Sequence, residues 1–253
     1  MATMTLRALR VLIAESLNED AHPVSEEQAK QLLKKFPKGL RKLGIDPNRV
    51  DSLPNLGTGT HGTALDLGNG KVLKITDDQK EAQVAAALKG KDLSNIVRYY
   101  AVFSFKDSPF FGVLQEKLKP LPKEVGNEFN EALVATGLPI WIKRAAGDFE
   151  NAKKLTKEYV LSQIKKKFAG RENSPEAQQY ARGINEKWNL LIKKFGLRDM
   201  FNTLTQLGID FHDYHAGNLM QREDGSLVLI DLGMSKLRGG HGDIETMNQA
   251  AMR

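Results

Sequence analysis

The chain has 253 residues, of which 41% are hydrophobic and 27% charged, a composition typical of a globular protein with one large domain or two packed lobes. It contains no cysteine, which excludes disulfide bonds, thiolate nucleophiles and cysteine metal sites. The N-terminus lacks a signal-peptide pattern and no apolar run has the length of a membrane span, so we expect a soluble, cytoplasmic protein without a membrane partner.

The formal net charge is +6, and much of the excess lies in lysine-rich stretches at 153–154 and 165–167. Such runs are typical of a solvated helix face. Attraction to ATP, to an acidic partner or to nucleic acid is the functional alternative. Because the sequence has no zinc finger or RNA-binding motif, a nucleic-acid partner is not expected.

The first fifty residues have helical patterns. Apolar residues recur at helical spacing between Leu6 and Leu17. The sequence Ser25-Glu26-Glu27-Gln28 is typical of a capping box that begins a second helix, which Pro37 interrupts. We therefore expect residues 1–50 to form a helical extension that packs on the residues after it.

From about residue 50 to residue 118 the pattern changes to short strands. The predicted strands are Val50–Leu56, Gly62–Leu67, Val72–Ile75, Ile96–Phe105 and Phe110–Glu116. The Asn69-Gly70 pair indicates a hairpin between the second and third strands. A helix from about Asp78 to Leu88 follows the third, so the segment predicts a small, mostly antiparallel sheet with one helix.

The segment from 119 to 207 is predicted to be mainly helical. The predicted helices are Asn127–Ala135 with Asn127 as N-cap, Asp148–Phe168, one that begins at Pro175 after the N-cap Ser174, and a last one that carries Met200, Leu204 and Leu207.

Two short apolar runs after this helical segment predict a second hairpin, with strands at 219–220 and 227–230. This hairpin would bring Asn218 at its entrance beside Asp231 at its exit. Amide and carboxylate oxygens are hard ligands suited to Mg²⁺, and Asp213 supplies a second carboxylate nearby. The arrangement is the one that phosphoryl transfer requires.

A glycine-rich sequence, GTGTHG, begins at Gly57 and also contains Gly59 and Gly62. Glycines allow backbone N–H groups to approach phosphates, although a tight turn with no ligand is the alternative. A dinucleotide-binding fold would need a strand before the motif and a helix after it. Here the motif lies between two predicted strands, which favours a flap over a nucleotide.

Lys74 lies on the third predicted strand, where alternation puts it on the same face as Val72. An ammonium among apolar strand residues needs an anion, and phosphate oxygens would serve, with Glu81 of the next helix holding the lysine. The alternatives are a lysine that reaches solvent and an ordinary surface glutamate. The order of glycine loop, lysine strand and glutamate helix favours the functional interpretation of both.

The chain resembles the protein-kinase-like superfamily of phosphotransferases over residues 51–118 and 198–236. Four ordered elements carry the resemblance: the glycine loop GTGTHG, the lysine strand VLKI, the loop DYHAGN, and DLG where DFG is usual. It implies a two-lobed α+β fold with a small antiparallel sheet as N-lobe, residues 51–118. A mostly helical, abbreviated C-lobe of residues 119–253 would follow, and ATP and Mg²⁺ would be the cofactors.

The resemblance also implies catalytic and metal-binding roles. Asp213 would orient the acceptor hydroxyl and accept its proton, while Asn218 and Asp231 would hold Mg²⁺ against the phosphates. Lys74, fixed by Glu81, would bind the α- and β-phosphates.

For the nucleotide, the resemblance implies a flap, a pocket and a hinge. The implied residues are Gly57, Gly59 and Gly62 in the flap, Ala64 and Val72 around adenine, and Glu116 and Leu118 as the hinge whose backbone meets adenine.

The sequence departs from typical protein kinases in three ways. It has Phe211-His212-Asp213 where His-Arg-Asp is usual, so an arginine partner for an activation-loop phosphate is missing. His215 replaces a lysine, and the resulting D-x-H-x-x-N is closer to aminoglycoside-type and other small-molecule phosphotransferases. No Ala-Pro-Glu follows the DLG sequence, so substrate recognition is expected from residues 119–197, the N-terminal helices or an activating protein partner.

The implied function is ATP-dependent transfer of a γ-phosphoryl group to a hydroxyl acceptor. The favoured acceptor is a protein serine or threonine, which could belong to the chain itself. Three alternatives stay open. They are a small-molecule kinase, a catalytically silent nucleotide-binding module that acts through a protein partner, and a phosphohydrolase metal site at His212, Asp213 and His215.

Overall fold

The computed structural model describes residues 24–138, 149–237 and 245–247. The helix predicted around Leu6–Leu17 lies outside the described residues. The described part of the chain has an α+β fold, as the sequence predicts. None of its helices combines the length and the apolar content that a membrane span requires.

Most helices lie before and after the main sheet. The described α-helices are α1 (Glu26–Lys34), α2 (Pro37–Lys42), α3 (Gln79–Leu88), α4 (Lys123–Ala135), α5 (Phe149–Lys167), α6 (Pro175–Lys193) and α7 (Leu197–Gln206). Short 3₁₀ turns cover Pro47–Ser52, Ala216–Asn218 and Leu232–Met234.

The strands of the described residues form one larger sheet and two small ones. They are β1 (Asn55–Gly59), β2 (Gly62–Asp66), β3 (Lys71–Thr76), β4 (Tyr99–Phe105), β5 (Phe111–Glu116), β6 (Lys119–Pro120), β7 (Ile209–Asp210), β8 (Leu219–Gln221), β9 (Leu227–Leu229), β10 (Lys236–Leu237) and β11 (Glu245–Met247).

The larger sheet has the order β1-β2-β3-β5-β4, with antiparallel neighbours throughout, and β11 extends it in parallel beside β4. Gly68 and Gly70 adopt positive φ angles of 74° and 75° in the β2–β3 turn. Glycine tolerates this conformation, so the Asn-Gly signal led to the correct hairpin. The predicted small antiparallel sheet with one helix is confirmed.

Side-chain caps fix the helix starts that the sequence predicts. Ser25 and Gln28 form the reciprocal capping box of α1, with backbone-to-side-chain distances of 3.1 and 3.0 Å. The Ser174 hydroxyl accepts from the N–H of Ala177 at the start of α6, which has Pro175 as its first residue.

The first predicted strand, Val50–Leu56, was wrong at its beginning. Asp46 caps a 3₁₀ turn over Pro47–Ser52, so the first three residues of the predicted strand belong to a turn. Strand β1 begins at Asn55, directly after Pro54, which has no N–H to donate to a sheet.

The predicted N-cap Asn127 was also wrong. Helix α4 begins four residues earlier, at Lys123, and the carbonyl of Pro122 accepts from the N–H of Gly126 in the first turn. Proline provides no side-chain cap but has a backbone conformation suited to a helix start, so Asn127 lies inside the helix.

The N-terminal helices cover one face of the larger sheet. Their apolar side chains form a buried cluster with strand residues, which includes Val24, Leu33, Phe36, Leu40, Val50, Leu65, Leu73, Ile75, Phe103 and Phe105. The rings of Phe36 and Phe105 lie 5.2 Å apart between centroids. Since side chains alternate along β3, this face is opposite to the face that carries Lys74.

The other face of the sheet packs on α3 and continues into the helical half of the molecule, residues 119–138 and 149–237. The shared buried cluster includes Val84, Leu88, Tyr99, Val102, Val113, Phe129, Leu133, Leu191, Phe201, Leu229 and Leu232. Because the cluster is continuous, the turn Leu232–Met234 is held against α3.

Strand β9 is tied to the segment before β4. The N–H of Val97 donates to the carbonyl of Leu229, and the N–H of Leu229 donates to the carbonyl of Asn95, both at 3.0 Å. Ile96, the predicted start of the fourth strand, instead forms an isolated bridge with Leu229, and β4 begins at Tyr99. This connection fixes the chain two residues before Asp231.

Candidate active site

The structure brings Lys74 and Glu81 together, as predicted. Lys74 Nζ on β3 lies 2.6 Å from Oε1 of Glu81 on α3. The Thr76 hydroxyl donates to Oε2 of the same carboxylate at 3.1 Å. Asp78 caps α3 through the N–H of Glu81, which fixes the helix end that carries the glutamate.

Asp231 is a third member of this group, with Oδ1 3.6 Å from Lys74 Nζ. Its backbone is left-handed, with φ 53° and ψ 67°, a conformation that is uncommon for any residue except glycine. Strain of this kind is concentrated at functional sites, where the surrounding structure maintains it. The Asp231 side chain is about half exposed, at 49%, so a ligand can approach its carboxylate.

The charges in this group favour a permanent ammonium. Burial alone would lower the pKa of Lys74, but the carboxylates of Glu81 and Asp231 outweigh burial and raise that pKa above its ordinary value. Burial raises the pKa of the Glu81 carboxyl, and the neighbouring Lys74 ammonium opposes that rise. Lys74 therefore provides a fixed positive charge beside the half-exposed carboxylate of Asp231.

Asp213 and Asn218 form a second, adjacent group. Asn218 Nδ2 donates to the backbone oxygen of Asp213 at 2.9 Å and to Oδ2 of Asp213 at 3.1 Å. These two bonds use the amide nitrogen, so the amide oxygen Oδ1 is the atom of the Asn218 side chain that could bind a cation. The N–H of Ile230 donates to the backbone oxygen of Asn218 at 2.9 Å, so the β8–β9 hairpin places Asn218 beside the residue before Asp231.

His215 contacts the Asp213 carboxylate, a relationship that the sequence did not indicate. Its Nε2 lies 3.3 Å from Oδ2 of Asp213, and its Nδ1 accepts from the N–H of Gly217 at 3.0 Å. The predicted catalytic aspartate therefore has Asn218 and His215 among its side-chain neighbours.

The three glycines of the flap differ in their surroundings. A Cβ at Gly62 would lie 2.1 Å from the backbone oxygen of Ile75, so close packing in the sheet requires glycine there. A Cβ at Gly57 or Gly59 would meet nothing within 4 Å, and all of β1 is exposed. Gly57 and Gly59 are therefore open to a ligand, whereas Gly62 serves the fold.

Ala64 and Val72 lie next to Lys74. Ala64 pairs directly with Lys74 across β2 and β3, and Val72 precedes Lys74 by two residues on β3. Cross-strand partners and residues two apart share a face of the sheet. The two predicted adenine-pocket residues thus line the same face as the lysine.

At the predicted hinge, Glu116 already has partners within the protein. Its carboxylate accepts from Arg222 and from the N–H of Arg98, and its own N–H donates to the Arg98 carbonyl at 3.0 Å. The N–H of Lys117 donates to the carbonyl of Gly70 at 2.8 Å. An adenine ring that needs a backbone N–H at this edge would therefore use the chain from Leu118 onward.

The donor set at the base of the site suits a hard divalent cation. The Asp231 carboxylate and the amide oxygen Oδ1 of Asn218 are oxygen ligands of the kind that Mg²⁺ binds together with phosphates. Within 24–138, 149–237 and 245–247, no group of three His, Asp or Glu side chains could hold a metal ion. Both ring nitrogens of His215 face other groups of the protein, so the geometry gives no support to His215 as a phosphohydrolase metal ligand.

The site thus combines a mostly buried ammonium, three carboxylates and an amide. The ammonium comes from β3, one carboxylate from α3, and the other groups from the loop before β8 and the residue pair that flanks the β8–β9 hairpin. No protein-family model matches the chain, and a search of curated proteins gives no match either.

Proposed function

We propose that this protein is a two-lobed, protein-kinase-like phosphotransferase that moves the γ-phosphoryl group of Mg–ATP to a hydroxyl acceptor. The observation that supports the proposal is the position of Lys74 Nζ, 2.6 Å from Glu81 and 3.6 Å from Asp231. The second group, Asp213 and Asn218, is joined to Asp231 through the β8–β9 hairpin.

Lys74 and the β1–β2 hairpin would bind the phosphates. The ammonium is already oriented by Glu81, so it can bind phosphate oxygens with little loss of side-chain freedom. Gly57 and Gly59 leave space for phosphates beside the backbone of β1. Fixed donors of this kind stabilise the charge that develops during transfer without reorganisation.

Asn218 and Asp231 would hold Mg²⁺. When bound, Mg²⁺ would neutralise part of the phosphate charge. Asn218 is held by its two hydrogen bonds to Asp213, and Asp231 by the turn that packs on α3. The protein's own contribution is to keep these two oxygen ligands in place.

Asp213 would act as the base for the acceptor. As the acceptor oxygen bonds to the γ-phosphorus, its proton passes to the Asp213 carboxylate and the bond to the β–γ bridging oxygen breaks, which releases ADP. The Asp213 side chain is 44% exposed. Because the Asp213 carboxylate is open to solvent, it favours an acceptor presented at a protein surface. We therefore propose that the acceptor is a protein serine or threonine, on this chain or another.

Labelled ATP separates the candidate functions. Purified protein is incubated with Mg²⁺ and ATP labelled on the γ-phosphate, alone, with lysate proteins and with the small molecules of the lysate. Label on protein supports the proposal, and a requirement for lysate would indicate an activating partner. Label in small molecules alone supports the small-molecule kinase. ATP binding without label in any fraction supports the silent module and contradicts the proposal.

A further inference from the structure

We infer that His215 is a positioning residue that holds the carboxylate of Asp213 by means of a ring tautomer that Gly217 fixes. The catalytic consequence rests on the proposed function, in which Asp213 accepts the proton of the acceptor hydroxyl. The tautomer itself is independent of that function.

The hydrogen bonds of His215 define its tautomer. Nδ1 lies 3.0 Å from the N–H of Gly217, which can only donate, so Nδ1 is the acceptor and carries no hydrogen. In the neutral ring the hydrogen must then be on Nε2. Nε2 lies 3.3 Å from Oδ2 of Asp213, so the ring donates to the carboxylate.

The same carboxylate oxygen receives a second donor. Asn218 Nδ2 lies 3.1 Å from Oδ2 of Asp213, so the amide and the imidazole both point at this oxygen. Two donors on one oxygen restrict rotation of the carboxylate, which would hold the base in one orientation toward an acceptor.

The packing of the loop holds the imidazole in this place. A Cβ at Gly217 would lie 2.8 Å from Cε1 and 2.9 Å from Nδ1 of the His215 ring, so the ring lies directly against the glycine. The N–H of Ala216 donates to Oδ1 of Asn130 on α4 at 2.9 Å, which ties the loop to the helical half. The imidazole therefore packs against a backbone that α4 anchors.

His215 has a second effect, because it also caps the 3₁₀ turn Ala216–Asn218. A cap alone would be a structural role, with no consequence for Asp213 beyond stability. The two roles use different ring nitrogens, so substitutions can separate them. His215→Asn keeps an acceptor near the position of Nδ1 and loses the donor to Asp213. His215→Gln keeps a donor near the position of Nε2 and loses the cap.

The first test reads the tautomer directly and does not need activity. Long-range proton–nitrogen NMR spectra of protein with ¹⁵N-labelled histidine resolve the five rings of the chain, and His215 is identified by its loss in His215→Gln. We expect the pattern of a hydrogen on Nε2 in the wild type and a changed pattern in Gly217→Ala. A hydrogen on Nδ1, or an average of both tautomers, would overturn the inference.

The second test compares catalysis with stability in the two variants. We expect His215→Asn to keep the wild-type melting temperature and KM for ATP while kcat falls by about 10–100-fold, the usual effect of losing a supporting hydrogen bond. His215→Gln should melt earlier and keep most of kcat. If kcat instead follows stability in both variants, His215 is merely a cap. If the wild type transfers no phosphoryl group, the proposed function fails while the NMR result still tests the tautomer.

Discussion

Arg222 holds the carboxylate of Glu116 with two hydrogen bonds, from Nη2 to Oε1 at 2.7 Å and from Nε to Oε2 at 3.0 Å. The same guanidinium donates to the backbone oxygens of Leu93, Ser94 and Ile96. It therefore joins the β8–β9 hairpin to the sheet half of the molecule at the edge of the candidate site.

Replacement of Arg222 by methionine should destabilise the protein. The side chains of Arg222 and Glu116 are mostly buried, with exposures of 18% and 13%. The substitution would therefore leave the Glu116 carboxylate buried without its charged partner. We expect a loss of about 3 kcal/mol in the free energy of unfolding, measured by urea titration. Lys119→Met is the control, because its pair with Glu223 is exposed and should contribute less than about 1 kcal/mol. Equal losses of unfolding free energy in Arg222→Met and Lys119→Met would contradict a stabilising role for the buried Arg222–Glu116 pair.

The glycine hairpin yields a pair of contrasting substitutions. Gly62→Ala should lower the free energy of unfolding by about 1–3 kcal/mol, because its Cβ would collide with the backbone oxygen of Ile75. Gly59→Ala should leave stability nearly unchanged and weaken ATP binding about tenfold, since the methyl group would occupy space proposed for phosphates. Urea titration and calorimetric ATP titration measure the two effects. Wild-type ATP affinity in Gly59→Ala would argue against phosphates on β1.

Removal of the Lys74 ammonium should leave Glu81 as an unpaired buried carboxylate. We expect Lys74→Met to lose about 3 kcal/mol of unfolding free energy at pH 7. Burial already raises the pKa of Glu81, and without Lys74 that pKa rises further. Because the folded variant then binds a proton more readily than the unfolded chain, its deficit should shrink as the pH falls from 7 toward 5.

The double variant Lys74→Met/Glu81→Gln is the control for this effect. At pH 7 the double variant should recover most of the stability that Lys74→Met loses. Its stability should also change little between pH 7 and pH 5. If the second substitution instead adds a further loss of similar size, the buried carboxylate is not the cause.

Asp66 should make the free energy of unfolding depend on pH in the acid range. The hydrogen bond from Lys117, helped by the N–H of Gly68, lowers the pKa of Asp66 below its ordinary value of 3.8. A lowered folded pKa means that the contribution, about 1–2 kcal/mol, is full above pH 3.8 and is lost as the pH falls further.

Urea titrations of the wild type and Asp66→Asn across this range measure the contribution as the difference between the two. The exposed Asp51 of the Lys34 pair provides the control, since Asp51→Asn should change stability little at any pH. If the wild type instead becomes more stable relative to Asp66→Asn as the pH falls, the predicted direction of the pH dependence is wrong.

Much of the candidate site could be predicted because its signals are local. Strand alternation placed Lys74 on the correct face, and the hairpin signals brought Asn218 beside the residue before Asp231. For Glu81, the signal that paired it with Lys74 was the order of glycine loop, lysine strand and glutamate helix. These relationships depend on a repeat of two residues, on a turn and on the order of short motifs, all of which a sequence displays directly.

Arg222 and His215 could not be assigned in this way. The partners of Arg222 are more than a hundred positions earlier in the chain, and a single arginine after a short strand has no periodic pattern. His215 was visible as a departure from the kinase pattern, but its ring orientation depends on the close approach of Gly217. The first strand was misplaced because a 3₁₀ turn has too few residues to show a period.

The most direct test of the central claim compares wild type, Asp213→Ala and Asp231→Asn in two assays. One assay follows transfer of labelled γ-phosphate to protein, and the other follows thermal stabilisation by Mg–ATP. We predict that the wild type transfers label and that Asp213→Ala does not, although Mg–ATP stabilises it as well as the wild type. Asp231→Asn should lose most of the Mg–ATP stabilisation. Wild-type transfer by Asp213→Ala, or equal Mg–ATP stabilisation of the wild type and Asp231→Asn, would contradict the proposed site.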